Sequence, residues 1–344
     1  MRDMSERTEL EELGEFGLID HLTKNIEHYQ PSTIKGVGDD AAVIDRGDHY
    51  ELVSTDMLIE GVHFDMSYTP LKHLGYKAIA VNVSDICAMN GNATQVTIGI
   101  AVSNRFPVEA LEELYEGMLL ACKAYEVDLV GGDTTTSLSG LMISVTAIGK
   151  VEKEKIAYRS GAKENDLICV SGDLGAAYIG LQILEREKSV WKENPKIQPD
   201  LEGHDYVLER FLKPEARVDI NALLAQNNIV PTSMIDISDG LASEILHLCK
   251  NGKVGAKIYE EKIPVDAAVV SQCSDFNLEP SVCALNGGED YELLFTVKQS
   301  DFEKINQLTE IKTIGHITDA SEGVCLVYPK GEEIFIKAQG WKAF

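Results

Sequence analysis

Gly36-Val37-Gly38-Asp39-Asp40-Ala41 is the stretch on which the fold turns. It matches GxGxxA, the glycine-rich turn that sets a dinucleotide pyrophosphate on a helix N-terminus. Its surroundings reject that reading. No convincing strand precedes it, and the apolar run Ala42-Val43-Ile44 that follows predicts a strand where the fingerprint needs a helix. Asp39 and Asp40 would also face the pyrophosphate directly, and carboxylates meet a phosphate only through a metal ion. The chain lacks GxxxxGK[ST] as well, so it is not a P-loop protein.

Outward from this stretch the same grammar recurs in Ser54-Thr55-Asp56, Val83-Ser84-Asp85, Gly131-Gly132-Asp133-Thr134-Thr135, Ile237-Ser238-Asp239-Gly240 and Gly287-Gly288-Glu289-Asp290-Tyr291. Each sets an acid beside Gly, Ser or Thr and is expected in a loop where the chain leaves a strand or enters a helix. Glycine lets the backbone turn tightly. Asp, Ser and Thr offer the hard oxygen ligands that magnesium prefers. One such stretch is adequately explained by the ordinary liking of Asp and Gly for turns. The whole set is not, because two carboxylates about 4 Å apart repel by roughly 4 kcal/mol at an effective dielectric near 20. The set predicts a site for several divalent cations and, through them, a polyphosphate.

Composition sets the limits. The 344 residues are enough for two domains, and 44% hydrophobic with 25% charged residues is ordinary for a globular protein. A net charge of −25 argues against nonspecific nucleic-acid binding, which needs clustered Lys and Arg. No segment approaches the ~18 consecutive apolar residues of a membrane span. The polar start Met1-Arg2-Asp3-Met4-Ser5-Glu6 has no signal-peptide core, so the cytoplasm is the expected location. Seven cysteines, an odd number without CxxC spacing, support neither a disulfide framework nor a zinc site. Cys87, Cys122, Cys169 and Cys249 lie in apolar runs and read as small core residues.

Apolar periodicity predicts helices over 9–26, 71–89, 107–125, 175–186, 214–226 and 241–250, and strands over 42–44, 52–59, 94–102, 141–151, 167–170, 234–237, 291–297, 313–317 and 324–328. This is an α/β chain with mixed (α+β) sheets, divided into domains at 1–152 and 153–344. The polar stretch 187–205, with Trp191, Pro195 and Pro199, reads as a mobile surface insertion. Ser84-Asp85 and Gly131-Gly132-Asp133 are spaced almost as Ser238-Asp239 and Gly287-Gly288-Glu289 are, a faint echo that suggests two related halves.

Taken in order and over nearly the whole chain, Gly36–Ala42, Ser54–Phe64, Asn82–Asp85, Gly131–Thr135, Ile235–Gly240 and Gly287–Glu292 resemble the thiamine-monophosphate kinase family of the aminoimidazole-ribonucleotide-synthetase-like superfamily. The resemblance implies two α/β domains, with the N-terminal sheet pairing across a homodimer. It implies phosphorylation of thiamine monophosphate to thiamine diphosphate, with ATP as co-substrate and several Mg²⁺ ions, in thiamine diphosphate biosynthesis. By position, Asp40, Ser54, Thr55, Asp56, Asp85, Asp133, Asp236 and Asp239 resemble metal-binding residues. Gly132, Asp133, Arg159 and Ser238 resemble ATP contacts, and His63 and Glu289 substrate contacts. The family also uses an aromatic near the C-terminus, for which Trp341 is the candidate, although Lys342-Ala343 replaces the usual acid-His pair.

The chemistry is consistent with that resemblance. The nucleophile would be a phosphate oxygen already ionised at neutral pH, so direct in-line transfer needs no covalent nucleophile on the protein. Read alone, Arg159 is equally a surface residue, His63 a structural one and Asp290 a buried structural acid. Two rivals share the superfamily. Selenophosphate synthetases need a reactive Cys near the N-terminus, but the first here is Cys87. Hydrogenase-maturation proteins act through a C-terminal Cys, but this chain ends at Phe344.

Overall fold

The computed structural model describes residues 8–338, and Trp341 lies outside the described residues. The chain opens with α1 (Leu10–Thr23) and then builds a mixed sheet from β1 (Thr33–Lys35), β2 (Ala42–Asp45), β3 (Tyr50–Ile59), β4 (Asn92–Val102), β5 (Asp128–Thr136) and β6 (Leu141–Val151). Its spatial order is β1-β2-β3-β6-β4-β5, antiparallel except for the parallel pair β4 and β5. The strand period is plain in β6. Leu141, Ile143, Val145, Ala147 and Val151 point inward and are buried, and the residues between them are less so.

Two helices cover this sheet, α2 (Leu71–Ala88) and α3 (Val108–Ala124). In α2, 15 of 18 residues are buried, which its Ala-rich sequence permits because small side chains let it be enclosed on every side. Its crossing with α3 is close. A Cβ on Gly117 would sit 1.8 Å from the Lys72 carbonyl oxygen, and one on Gly75 would sit 2.0 Å from that of Leu114.

The second half carries β7 (Leu167–Ser171), α4 (Ala176–Glu193), α5 (Asp205–Leu212), α6 (Val218–Gln226), β8 (Ser233–Ile237), α7 (Leu241–Gly252), β9 (Gly255–Tyr259), α8 (Ala267–Phe276), α9 (Pro280–Asn286), β10 (Glu292–Val297), α10 (Phe302–Ile305), β11 (Ile311–Thr318), β12 (Val324–Val327) and β13 (Glu333–Phe335). The strands form a sheet in the order β13-β12-β9-β11-β7-β10-β8. All pairs are antiparallel except β12 and β9. A hydrophobic cluster crosses from one half to the other, joining Ile79, Ile86 and Ile143 to Ile220, Met234 and Phe295. Among the described residues no helix is long and apolar enough to cross a membrane.

Several expectations change. Helix α4 runs on to Glu193, so the stretch 187–205 begins inside a helix. Glu187 is buried there and accepts the Asp200 N–H at 2.9 Å, tying the following loop back to α4. Strands β1, β5, β9 and β13 and helices α5, α8, α9 and α10 were not foreseen, and β1 does precede Gly36, although the strand β2 and not a helix follows it. The echo between halves joins unlike elements. Ser84-Asp85 lies inside α2 and Gly131-Gly132-Asp133 inside β5, whereas Ser238-Asp239 and Gly287-Gly288-Glu289 lie in loops.

Candidate active site

Three of the acidic stretches therefore lie in regular structure rather than in loops: Ser54-Thr55-Asp56 in β3, Val83-Ser84-Asp85 in α2 and Gly131–Thr135 in β5. In a strand, neighbours point to opposite faces. Ser54 consequently turns inward, while the Thr55 hydroxyl donates to the Val145 carbonyl at 2.9 Å on the other face. The Thr55 side chain is thus committed away from the acids.

Where α2 meets β8, Asp40 from the loop before β2, Asp85 from α2 and Asp236 from β8 bring carboxylate oxygens within 4.8 Å of one another. Their surroundings hold them there. Ser54 Oγ donates to Asp85 Oδ2, and Ser84 Oγ donates to Asp236 Oδ2 at 2.6 Å. Arg159 grips Asp40 with both arms, Nη2 to Oδ1 at 2.7 Å and Nε to Oδ2 at 3.2 Å, the fork geometry of a strong guanidinium–carboxylate pair. The Arg159 backbone N–H donates to Asp39 Oδ1 at 3.0 Å, and Lys35 Nζ lies 2.7 Å from Asp39 Oδ2.

The cluster resists ionisation. Burial pushes Asp40 up to about 7, with Arg159 pulling the other way. Burial lifts Asp236 to about 6, opposed by the Ser84 hydroxyl and by Arg159. Asp85 is raised well above the usual carboxylate range by burial and then by the charges of Asp56, Asp236 and Asp40. Asp239 is raised to about 6 by burial, then by Glu15 and Glu289. Crowded, desolvated carboxylates with hydroxyls between them are a donor set for a hard divalent cation, whose charge would relieve the repulsion that lifts these values.

Beside the cluster opens a cleft of about 770 Å³. Its lining includes the polar groups Asp56, His63, Ser238, Asp239 and Glu289, the aromatic and aliphatic side chains Phe64, Tyr68, Tyr178, Leu181, Phe211 and Leu278, and, around Tyr68, the charged residues Asp65, Glu185 and Lys188. Asp56 is open to the cleft, and its backbone N–H is held by Asn82 Oδ1 at 2.9 Å. His63 Nδ1 accepts the Ile59 N–H at 3.0 Å, and burial lowers the basicity of its ring. The Gly287–Tyr291 loop is tied to the end of β8 by Glu289 N–H to the Ser238 carbonyl at 2.7 Å and Tyr291 N–H to the Ile237 carbonyl at 2.8 Å. Asp290, 1% exposed, turns away from the cleft and accepts the Gly175 N–H at 2.8 Å at the start of α4.

Of the residues singled out from sequence, Asp40, Ser54, Asp85, Asp236 and Arg159 meet in the cluster, and Asp56, His63, Ser238, Asp239 and Glu289 line the cleft. Asp133 and Gly132 lie on the exposed strand β5 and join neither group. Gly132 has a packing reason of its own, since a Cβ there would stand 1.9 Å from the Ile98 carbonyl oxygen of β4. Sequence reasoning missed Glu15, Lys77, Asn82 and Glu244. The available signal was a single Lys in the apolar run Leu74-Gly75-Tyr76-Lys77-Ala78-Ile79-Ala80-Val81, because a lone charge in a buried helix needs a partner.

Comparison with known proteins adds to this geometry. Residues 38–151 match the family model for the AIR synthase related protein N-terminal domain, and residues 163–328 that for its C-terminal domain. The thiamine-monophosphate kinase of Bacillus subtilis is 32% identical over 340 residues, covering 96% of this chain and 100% of that protein. The thiamine-monophosphate kinase of Aquifex aeolicus is 35% identical over 335 residues, covering 97% and 99%. A solved structure of AaThiL complexed with AMPPCP and TMP superposes with a TM-score of 0.84 at 34% identity, covering 98% of this chain and 100% of that one.

Proposed function

The chain belongs to the AIR synthase related family, in its thiamine-monophosphate kinase branch, and from that membership we propose that it transfers the γ-phosphoryl group of ATP to thiamine monophosphate, forming thiamine diphosphate. One observation carries the reading: a cleft lined by both carboxylates and aromatic side chains opens beside a crowded acid cluster, with Asp56 the neighbour common to both. The acids suit a polyphosphate brought in with cations, and the aromatic side chains suit a heteroaromatic ring. The structural relative complexed with AMPPCP, an ATP analogue, and TMP supports the same pair of substrates.

The residues present fit a divalent cation such as Mg²⁺. Asp40, Asp85 and Asp236 would hold it with Ser54 beside them, and Asp56 and Asp239 would offer further carboxylates at the cleft. Bound there, such ions would supply neutralisation of the phosphate charges, which is the main obstacle when two polyanions must meet. The remaining work falls to the chain. An oxygen of the acceptor phosphate bonds to the γ-phosphorus as the bond to the β,γ-bridging oxygen breaks, and ADP leaves. The acceptor is already an anion, so no side chain has to take a proton or form a phosphoenzyme. Arg159 adds positive charge beside the cluster, and Ser238 lines the cleft. His63 and Glu289 face the second substrate. Thr55, Gly132, Asp133 and Trp341 enter as ligands by resemblance alone, as do the homodimer built on the first sheet and the cytoplasmic location.

The test is chromatographic. Purified protein with ATP, Mg²⁺ and thiamine monophosphate should form thiamine diphosphate, stop when EDTA is added, and leave free thiamine untouched. Equal turnover of free thiamine, or turnover in EDTA, would overturn the proposal.

A further inference from the structure

Lys77 is a cation buried behind the cleft wall, with 3% of its side chain exposed. It lies on α2 and reaches the second half of the chain at two points. Its ammonium pairs with Glu289 Oε2, stands 4.6 Å over the Phe211 ring and donates to the Phe211 carbonyl at 3.5 Å. Glu289 and Phe211 both line the cleft. One side chain therefore fastens the acidic loop and the aromatic wall to the helix that also carries Asn82 and Asp85. Glu289 itself adopts a left-handed backbone, φ 72°, held by its N–H on the Ser238 carbonyl. On the other oxygen, Oε1, the carboxylate accepts a 3.5 Å hydrogen bond from the Tyr291 hydroxyl, and its charge acts on the His63 ring beside it.

We propose that Lys77 is a positioning residue for the phosphoryl acceptor: by engaging Oε2 it aims Oε1 of Glu289 into the cleft, toward a substrate ring that is cationic or bears an amine donor. This rests on the kinase reading above, and thiamine monophosphate carries both features. The burial is lopsided, with 27% of the Glu289 side chain exposed against 3% for Lys77. Removing the ammonium leaves a carboxylate that water in the cleft can solvate. Removing the carboxylate strands a buried ammonium, and an uncompensated buried charge is the costly half of such a pair.

The full chain is compared as wild type, Lys77→Met, Glu289→Gln and the double variant, by steady-state kinetics and thermal melting. Lys77→Met should raise KM for thiamine monophosphate about tenfold or more while kcat and KM for ATP stay within about threefold, the split expected when acceptor binding alone is lost. The double variant should show the KM of Glu289→Gln, because Lys77 acts through that carboxylate. Glu289→Gln should melt below Lys77→Met. An unchanged acceptor KM in Lys77→Met, effects that multiply in the double variant, or the reverse melting order would each overturn the assignment. Lys77→Gln, which keeps a donor without the charge, should fall between wild type and Lys77→Met, and wild-type KM in that variant would show that the charge is not needed. If the wild type itself makes no thiamine diphosphate, the kinase reading fails, while the melting order still tests the ion pair.

Discussion

Glu244 shows how much one buried side chain can do without touching a ligand. It lies 3% exposed in the first turn of α7, and its Oε1 accepts the Asp239 N–H at 2.9 Å, so it shapes the loop that presents Asp239 to the cleft. Burial raises its pKa well above the usual carboxylate value, and the charge of Asp239 adds to that. A group raised in the folded state stabilises while protonated, and that contribution is lost as pH rises through the folded value. Glu244→Gln keeps the acceptor and removes the ionisation, so at pH 8 it should melt at or above the wild type. Glu244→Ala deletes the acceptor and should cost about 1–3 kcal/mol, the usual penalty for a buried donor left unpaired. A Gln variant that melts well below wild type at pH 8 would show that the ionised form is the one the fold needs.

At the level of elements, the crossing of α2 and α3 depends on glycine. Replacing Gly117 by Ala gains about 1 kcal/mol of helix propensity. It also sets a methyl 1.8 Å from the Lys72 carbonyl oxygen, where backbone and not a flexible side chain must move. Overpacking of this kind costs about 1–3 kcal/mol or more, so the clash wins. Gly117→Ala should lower the melting temperature, by about 1–2 °C for each net kcal/mol in a chain of this length. A rise would mean that the two helices separate freely.

The elements also explain what the sequence could disclose. Strand β6 was legible because its inward residues alternate without a break. Helix α2 was legible as an apolar run over 71–89 that takes in Ser84 and Asp85, although the Ser-Asp pair read by itself points to a loop, because Ser and Asp usually leave helices. They are kept inside this one because Ser84 and Asp85 spend their side chains on Asp236 and Ser54. Strand β5 escaped notice because Gly131-Gly132-Asp133-Thr134-Thr135 has a turn's composition, and only pairing with β4 draws it into a strand. Lys77 could not be placed from sequence, since its partner Glu289 is 212 residues away.

For the whole molecule, the net charge of −25 and the raised acids of the cluster bear on stability together. Asp40 titrates near 7 and Asp236 and Asp239 near 6, against 3.8 for an ordinary Asp. Each therefore contributes stability below about pH 4 that is lost by about pH 7 in protein without cations. If the cluster holds Mg²⁺ as proposed, the ion would have to displace protons at pH 5 and would find carboxylates at pH 8. Thermal melts with EDTA and with excess Mg²⁺ should show a small shift at pH 5 and a larger one at pH 8, where 100-fold saturation corresponds to about 2.7 kcal/mol. Equal shifts at both pH values would place the cation somewhere other than this cluster. Helix α2 adds a last consequence. It carries Lys77, Asn82, Ser84 and Asp85 and is itself enclosed in the core that joins the two halves. The amides of residues 82–85 should therefore exchange with deuterium only when the entire chain opens, and on heating, activity should disappear along the same curve as the fold rather than before it.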